Sequence, residues 1–150
     1  MTDTTRLALD AWVPYRLSFI VNHISAQLHA VCSERFGISA AAWRVMAHLG
    51  DAATLLSAKE VAQRAAMDSV SVTRALNQLE DLGLLIRRID TDDRRRVTLR
   101  LSKKGNMVYQ EIIPVALAAE RDLLAGLSEA ERETLAALTQ RLWRNVEKGN

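Results

Sequence analysis

Apolar residues recur along most of this chain at intervals of three and four, the mark of helices that bury one face. After a polar start, Leu17, Ile20, Val21, Ile24, Leu28, Val31 and Cys32 predict a long first helix over about residues 14–35, stopped by Gly37. Ser39 caps the next helix, whose apolar side carries Trp43, Met46 and Leu49. Ser57-Ala58-Lys59-Glu60 reads as a capping box that opens a short helix with Val61, Ala62 and Ala65 inward. A turn at Ala66-Met67 leads to Asp68, an N-cap for a segment that buries Val72, Ala75, Leu76, Leu79 and Leu82. Gly83 ends that segment where a left-handed residue is wanted.

The pattern then changes. Residues 84–89 and 97–101 are leucine-rich or β-branched runs around the Asp-rich tip Asp90-Thr91-Asp92-Asp93-Arg94-Arg95-Arg96, which predicts a β-hairpin. Leu55-Leu56 supplies a short strand beside it. Helical spacing returns from Lys103 through Val108, Ile112, Val115, Leu117, Leu123 and Leu124, with Pro114 inside the run predicting a bend and Gly126 ending it. Ser128-Glu129-Ala130-Glu131 is a second capping box, followed by Leu135, Leu138, Leu142 and Val146. The expected fold is mainly α in one domain of 150 residues. A winged helix-turn-helix with a two-stranded β wing occupies about residues 39–104, and dimerisation helices lie at about 9–36 and 105–147.

Composition agrees with a helical globular chain: 49% of residues are hydrophobic, and there are only 6 glycines and 2 prolines. The net charge of +2 conceals an uneven distribution. Residues 57–104 hold eleven Lys/Arg against seven Asp/Glu, while 1–56 balance and 105–150 are slightly acidic. The cationic surplus lies on the helix-turn-helix and hairpin, as phosphate neutralisation requires. The first turns of the second helix expose Ser69, Val70, Ser71, Thr73, Arg74 and Asn77, small groups and one long donor suited to base edges. Of these, Ser69, Ser71, Thr73, Arg74 and Asn77 are the expected contacts. At the hairpin tip, Arg95 suits the negative potential of a minor groove, with Asp93 holding the turn and Arg94 and Arg96 directed to phosphate or solvent. A solvated turn is the competing reading of that tip.

This order of motifs resembles the MarR (multiple-antibiotic-resistance regulator) family of winged helix-turn-helix regulators, over essentially the whole chain. Asp93, Arg95 and then Leu101-Ser102 match a family pattern of Asp-x-Arg followed by Leu-Thr/Ser, and Lys103-Lys104-Gly105 fits after it. Thr73-Arg74 and Leu79-Glu80-Asp81-Leu82-Gly83-Leu84 match the family's recognition helix and its exit, with departures at Val70 and Asp81. The resemblance implies a dimer interlocked by helices from both termini. The apolar stripes of those helices point the same way, since they exceed what a winged helix needs. Folding back onto their own subunit is the alternative.

A small-molecule site is expected where Trp12, Tyr15, Arg16, Phe19 and His23 gather on the first helix with Trp43 from the next. Arg16 is a candidate partner for a carboxylate, and the alternative is ordinary core and surface pairing. Regulators of the resembling family often respond to small aromatic compounds. Cys32, the single cysteine, lies on the apolar stripe and reads as a buried small hydrophobe rather than a redox sensor. His23, His29 and His48 lack metal-ligand spacing, and no nucleophile–base motif or glycine-rich phosphate loop occurs. No metal, no cofactor and no enzymatic activity are expected. With no secretory leader and no apolar run of membrane length, a cytoplasmic protein is expected. The combined expectation is a homodimeric repressor on a pseudo-palindromic operator in double-stranded DNA, released by a small aromatic effector. The rival is a winged-helix protein-interaction module without DNA binding.

Overall fold

The computed structural model describes residues 5–149. A 3-10 turn at Leu9–Ala11 precedes helix α1 (Val13–Phe36), then α2 (Ala40–Asp51), α3 (Ala58–Ala65) and α4 (Ser69–Asp81). Strands β1 (Leu85–Ile89) and β2 (Val97–Leu101) follow, then α5 (Lys103–Leu123) and α6 (Glu129–Lys148). The strands form an antiparallel pair with Leu85 opposite Leu101 and Ile89 opposite Val97. The Leu55-Leu56 strand reduces to one bridge, in which the Leu99 N–H donates to the Leu56 carbonyl at 2.7 Å. This is a mainly helical winged helix-turn-helix. Among the described residues no helix is long and apolar enough to cross a membrane.

The caps act as the sequence predicts. Ser57 Oγ accepts from the Glu60 N–H at 3.2 Å, and Glu60 Oε2 accepts from the Ser57 N–H at 2.8 Å. Gly37 closes α1 at φ 66 and Gly83 follows α4 at φ 71, both left-handed conformations that glycine adopts at little cost. Ala66 takes the same region at φ 51 in the turn between α3 and α4, a position where a Cβ carries a steric penalty.

Two compact units divide the chain, one through Ala116 and one from Leu117 onward. The first holds the core. Ile38, Val45, Met46, Leu56, Val61, Val72, Leu76, Leu79, Leu84, Leu99 and Ile112 are all buried there, with Cys32 fully so. Burial pushes the Cys32 thiol above its ordinary pKa, against a smaller opposing backbone contact, which makes it a poor source of thiolate. In the second unit, Ser128 and Glu131 complete a reciprocal cap, yet α6 buries no residue at all. Leu135, Leu138, Leu142, Trp143 and Val146 are all exposed along it. Pro114 lies inside α5, whose helical assignment runs unbroken across it.

The start of α5 is stitched to the exit of α4. Ser102 Oγ donates to the Gly83 carbonyl at 2.6 Å and accepts from the Gly105 N–H at 2.9 Å, while the Ser102 N–H reaches the Leu84 carbonyl at 2.9 Å. A Cβ on Gly105 would stand 2.1 Å from the Leu84 carbonyl oxygen. Elsewhere in a helix, glycine to alanine stabilises by up to about 1 kcal/mol. Here the sign reverses: Gly105→Ala is expected to destabilise by about 1–3 kcal/mol, because backbone must move to admit the methyl. Urea unfolding of the variant checks this, and a gain in stability would contradict the packing described.

Candidate nucleic-acid interface

Helix α4 has two unlike faces. Val72, Ala75, Leu76 and Leu79 are buried, while Ser69, Val70, Thr73, Arg74 and Asn77 are exposed on the other side. Asp68 holds the first turn: its carboxylate accepts the Ser71 N–H at 2.9 Å and the Ser71 hydroxyl at 2.5 Å. Those donors, the side chain first, keep the Asp68 carboxyl below its ordinary pKa. Thr73 Oγ1 donates to the Ser69 carbonyl at 2.8 Å. Gln78 turns the other way, accepting the Ser39 N–H at 3.0 Å and so tying α4 to the start of α2. Arg74 has no hydrogen-bond or ion-pair partner among the described residues.

The hairpin tip is built by carboxylates. Asp90 Oδ1 accepts the N–H groups of Asp92 at 2.8 Å and Asp93 at 3.3 Å, which hold its carboxyl below the ordinary range. Asp93 Oδ1 accepts the Arg95 N–H at 3.0 Å. The Arg95 side chain is 97% exposed and its Nε stands 3.7 Å from Asp93, a contact that solvent screens strongly. Arg94 is exposed and unpaired among the described residues.

Arg96 differs from its neighbours. Its Nη2 donates to both oxygens of Glu60 at 3.0 Å and to the Leu55 carbonyl at 3.4 Å, so it joins the base of the wing to the cap of α3. Asn77 is also engaged: its Oδ1 accepts from Arg87 Nη2 at 3.0 Å, while Arg87 Nε pairs with Glu80 at 2.5 Å. Arg87, Glu60 and Asp90 were not among the expected functional residues, yet they set where the wing stands. No periodic signal marks the pairs of Arg87 and Glu60, because each joins unlike elements, and Asp90 acts locally within the tip. Among the described residues Arg74 and Arg94 thus have no partner, Arg95 touches only the neighbouring Asp93, and Arg87 and Arg96 are held in internal pairs.

The six residues expected to line a small-molecule site do not converge. Tyr15, Phe19 and His23 form an exposed ladder along α1, with ring centroids 6.5 Å and 5.8 Å apart. The Arg16 Nε donates to the Asp10 carbonyl, and Trp12 is exposed at the helix start. Trp43 instead stacks on Tyr109 of α5 at 6.1 Å. Helix periodicity explains the separation, since steps of four keep Tyr15, Phe19 and His23 on one stripe of α1 while Asn22, Ser25 and His29 occupy another. That second stripe, with Trp43 and Arg44 of α2, lines a groove of about 560 Å³ that reaches Asp68 and Ser71 at the start of α4. His29, Arg44, His48 and Asp68 are among the polar groups lining this groove with Trp43, and His23 and Arg16 are not. Burial, then Arg44 and Arg64, lower the His48 pKa against an opposing Asp51.

Glu60 offers a test of the tie between wing and α3. The Ser57 backbone donor, then Arg96, hold its carboxyl below the ordinary pKa. Its contribution is complete at neutral pH and fades as pH falls through that lowered value. Glu60→Gln keeps a side chain able to cap and removes the charge opposite Arg96. Both partners are 40% exposed, so the expected loss is only about 0.5 kcal/mol at pH 7. Denaturant titrations of both proteins should show the gap closing in acid, as pH falls below the ordinary glutamate range. A gap that is unchanged in acid would mean that the carboxylate charge is not its source.

Comparisons with known proteins cover this framework. A MarR family profile matches residues 36–96. A candidate transcriptional regulatory protein for the hcr operon of Thauera aromatica is 36% identical over 89 residues, which make up 59% of this chain and 54% of that protein. The chain thus spans about half the length of that curated relative. A MarR-family transcriptional regulator of known structure from Silicibacter pomeroyi is similar with a TM-score of 0.82 at 26% identity, over 95% of this chain and 97% of that one. Transcriptional regulator PA3341 is similar with a TM-score of 0.83 at 26% identity, over 91% and 99%. With the capped recognition helix and the wing in these positions, the chain is similar to transcriptional regulators of the MarR family, in fold over nearly its whole length and in sequence over its winged helix-turn-helix.

Proposed function

We propose that the chain is a homodimeric, sequence-specific repressor that binds a pseudo-palindromic operator in double-stranded DNA and is released by a small aromatic acid. The observation that carries the DNA reading is the division of the cations. Arg74 on α4 and Arg94 at the wing tip have no partner among the described residues and Arg95 is 97% exposed beside Asp93, whereas Arg87 and Arg96 are paired with Glu80 and Glu60. A protein-interaction module has no need of that arrangement. Arg74 suits the acceptor pair of guanine in the major groove, and Arg95 suits the potential of a narrow minor groove. The dimer rests on α6, a helix of 20 residues with an apolar stripe and no buried residue. A second copy is its simplest cover, and a two-fold dimer presents two recognition helices to two half-sites.

The effector reading rests on the groove beside Trp43. Arg44 is exposed at its rim, His29 faces it from α1, and its far end touches the residues that cap α4. A planar acid with its ring against Trp43 and its carboxylate on Arg44 fits that chemistry. Such a ligand lowers DNA affinity if it binds best when α4 is displaced from the arrangement DNA requires.

Selection from a random duplex pool, followed by binding titrations over a range of salt, tests the DNA reading. Arg95→Ala is expected to reduce the salt slope by about one, and Arg74→Ala to relax discrimination among enriched duplexes by about 1–3 kcal/mol. Failure to enrich any duplex would favour the interaction-module reading. A folded monomer in sedimentation at micromolar concentration would remove the dimer.

Arg44 separates the effector groove from the Arg16 site. Arg44→Ala should dimerise and bind DNA, yet require about ten- to hundredfold more aromatic acid for release, the loss of one charge-assisted contact. Titrating DNA release with a panel of benzoates and their hydroxy derivatives measures this. A shift in Arg16→Ala with none in Arg44→Ala would return the site to the α1 ladder.

A further inference from the structure

Hydrogen bonds engage several of the polar groups on the outer face of α4 and leave its Val70 side chain uncovered. Ser71 gives its hydroxyl proton to Asp68 at 2.5 Å, and Thr73 gives its own to the Ser69 carbonyl at 2.8 Å. The Asn77 carbonyl oxygen is taken by Arg87 at 3.0 Å. These were the side chains best suited to bond base edges. What remains outward over the first two turns without a hydrogen-bond partner among the described residues is the Ser69 hydroxyl at the helix start, the Val70 isopropyl group, 59% exposed, the γ-methyl of Thr73 and the Arg74 guanidinium. Val70, Thr73, Arg74 and Asn77 stand at i, i+3, i+4 and i+7, so they form one stripe. A β-branched residue exposed in a first helical turn lowers helix propensity slightly and fills no core. Val70 therefore has no folding rationale in this chain.

In the major groove only thymine offers an apolar group, its 5-methyl, while cytosine and adenine present amino donors and guanine presents two acceptors. We infer that α4 reads thymine methyl groups through Val70, with Thr73 beside it, and guanine through Arg74. Selectivity at the start of the helix is then apolar and steric. A cytosine or adenine amino group against Val70 loses its water and gains no acceptor, which disfavours those bases. Two features make this reading specific to the stripe of Val70: the Ser71 and Thr73 hydroxyls are committed to the cap and the backbone, and the unpartnered guanidinium lies one residue beyond Thr73. The inference rests on the DNA-binding reading above and names bases that reading leaves open.

Deoxyuridine supplies the test, because it removes the 5-methyl of thymine and leaves the pairing edge and the major-groove acceptor in place. Duplexes enriched by the wild-type protein are resynthesised with each thymine replaced in turn. One or two positions per half-site should then bind roughly three- to tenfold more weakly, the worth of one methyl against an apolar side chain. At those positions Val70→Ala should bind thymine and uracil duplexes alike, with an unchanged thermal midpoint because Val70 is exposed. In the otherwise wild-type protein, Thr73→Ser, which removes a methyl and keeps the hydroxyl, should reduce uracil sensitivity in part. An enriched duplex with no uracil-sensitive thymine overturns the proposal while DNA binding stands. Uracil sensitivity that persists undiminished in Val70→Ala also overturns it. If no duplex is enriched, the DNA-binding reading fails first and this one with it.

Discussion

The close approach of Gly105 to the Leu84 carbonyl is the contact on which the placement of the wing depends. Leu84 is the residue between the left-handed Gly83 and the first strand, so its carbonyl marks where the recognition helix ends and the hairpin begins. Ser102 grips both sides of that point and also opens α5. Helix exit, strand entry, strand exit and the next helix start therefore share one small cluster of backbone groups. Any side chain larger than hydrogen at residue 105 would push them apart, which makes this glycine a packing requirement rather than a conformational one.

From that fixed base, charge pairing decides what the wing and recognition helix are free to touch. Glu80 and Asn77 draw Arg87 back onto α4, and Glu60 draws Arg96 onto α3. Each pair is partly exposed and contributes little stability by itself. Their effect is geometric, since they take two arginines out of the available set and hold the hairpin at both of its edges. Arg94 and Arg95 then project from a tip shaped by Asp90 and Asp93, whose carboxylates accept backbone N–H groups. Acids inside a cationic wing look unhelpful in a count of charge. In the structure they organise the turn that presents the cations.

Most of the fold was legible because its signals are local. The caps at Ser57, Asp68 and Ser128, the stops at Gly37 and Gly83, and the buried stripe of α4 all follow from spacing within one element. The hairpin followed from two short runs around an Asp-rich tip. What escaped were pairings across elements: Arg87 with Glu80, Arg96 with Glu60, and the seating of Gly105. None has a fixed sequence offset. The residues expected to line a small-molecule site lie apart for a related reason. Aromatic residues close in sequence on α1 were grouped together, whereas the helix sends Phe19 and His23 one way and Ser25 and His29 another. Trp43 belongs with the second set, which only packing reveals.

That packing also joins the groove to the rest of the first unit. Trp43 stacks on Tyr109, and the Tyr109 ring lies so near Gly50 that a Cβ there would stand 2.5 Å from it. Absence of a side chain at Gly50 lets α5 lie close to α2, with the aromatic pair as the contact. At the opposite end the groove meets Asp68 and Ser71, which cap α4. One concave surface thus touches the start of the recognition helix and, through a single stacked ring, the helix that leaves the winged unit. Close-packed interiors resist small displacements and shift between discrete arrangements instead. A ligand seated against Trp43 would act on two elements at once, and a modest preference for one arrangement would be felt where α4 begins.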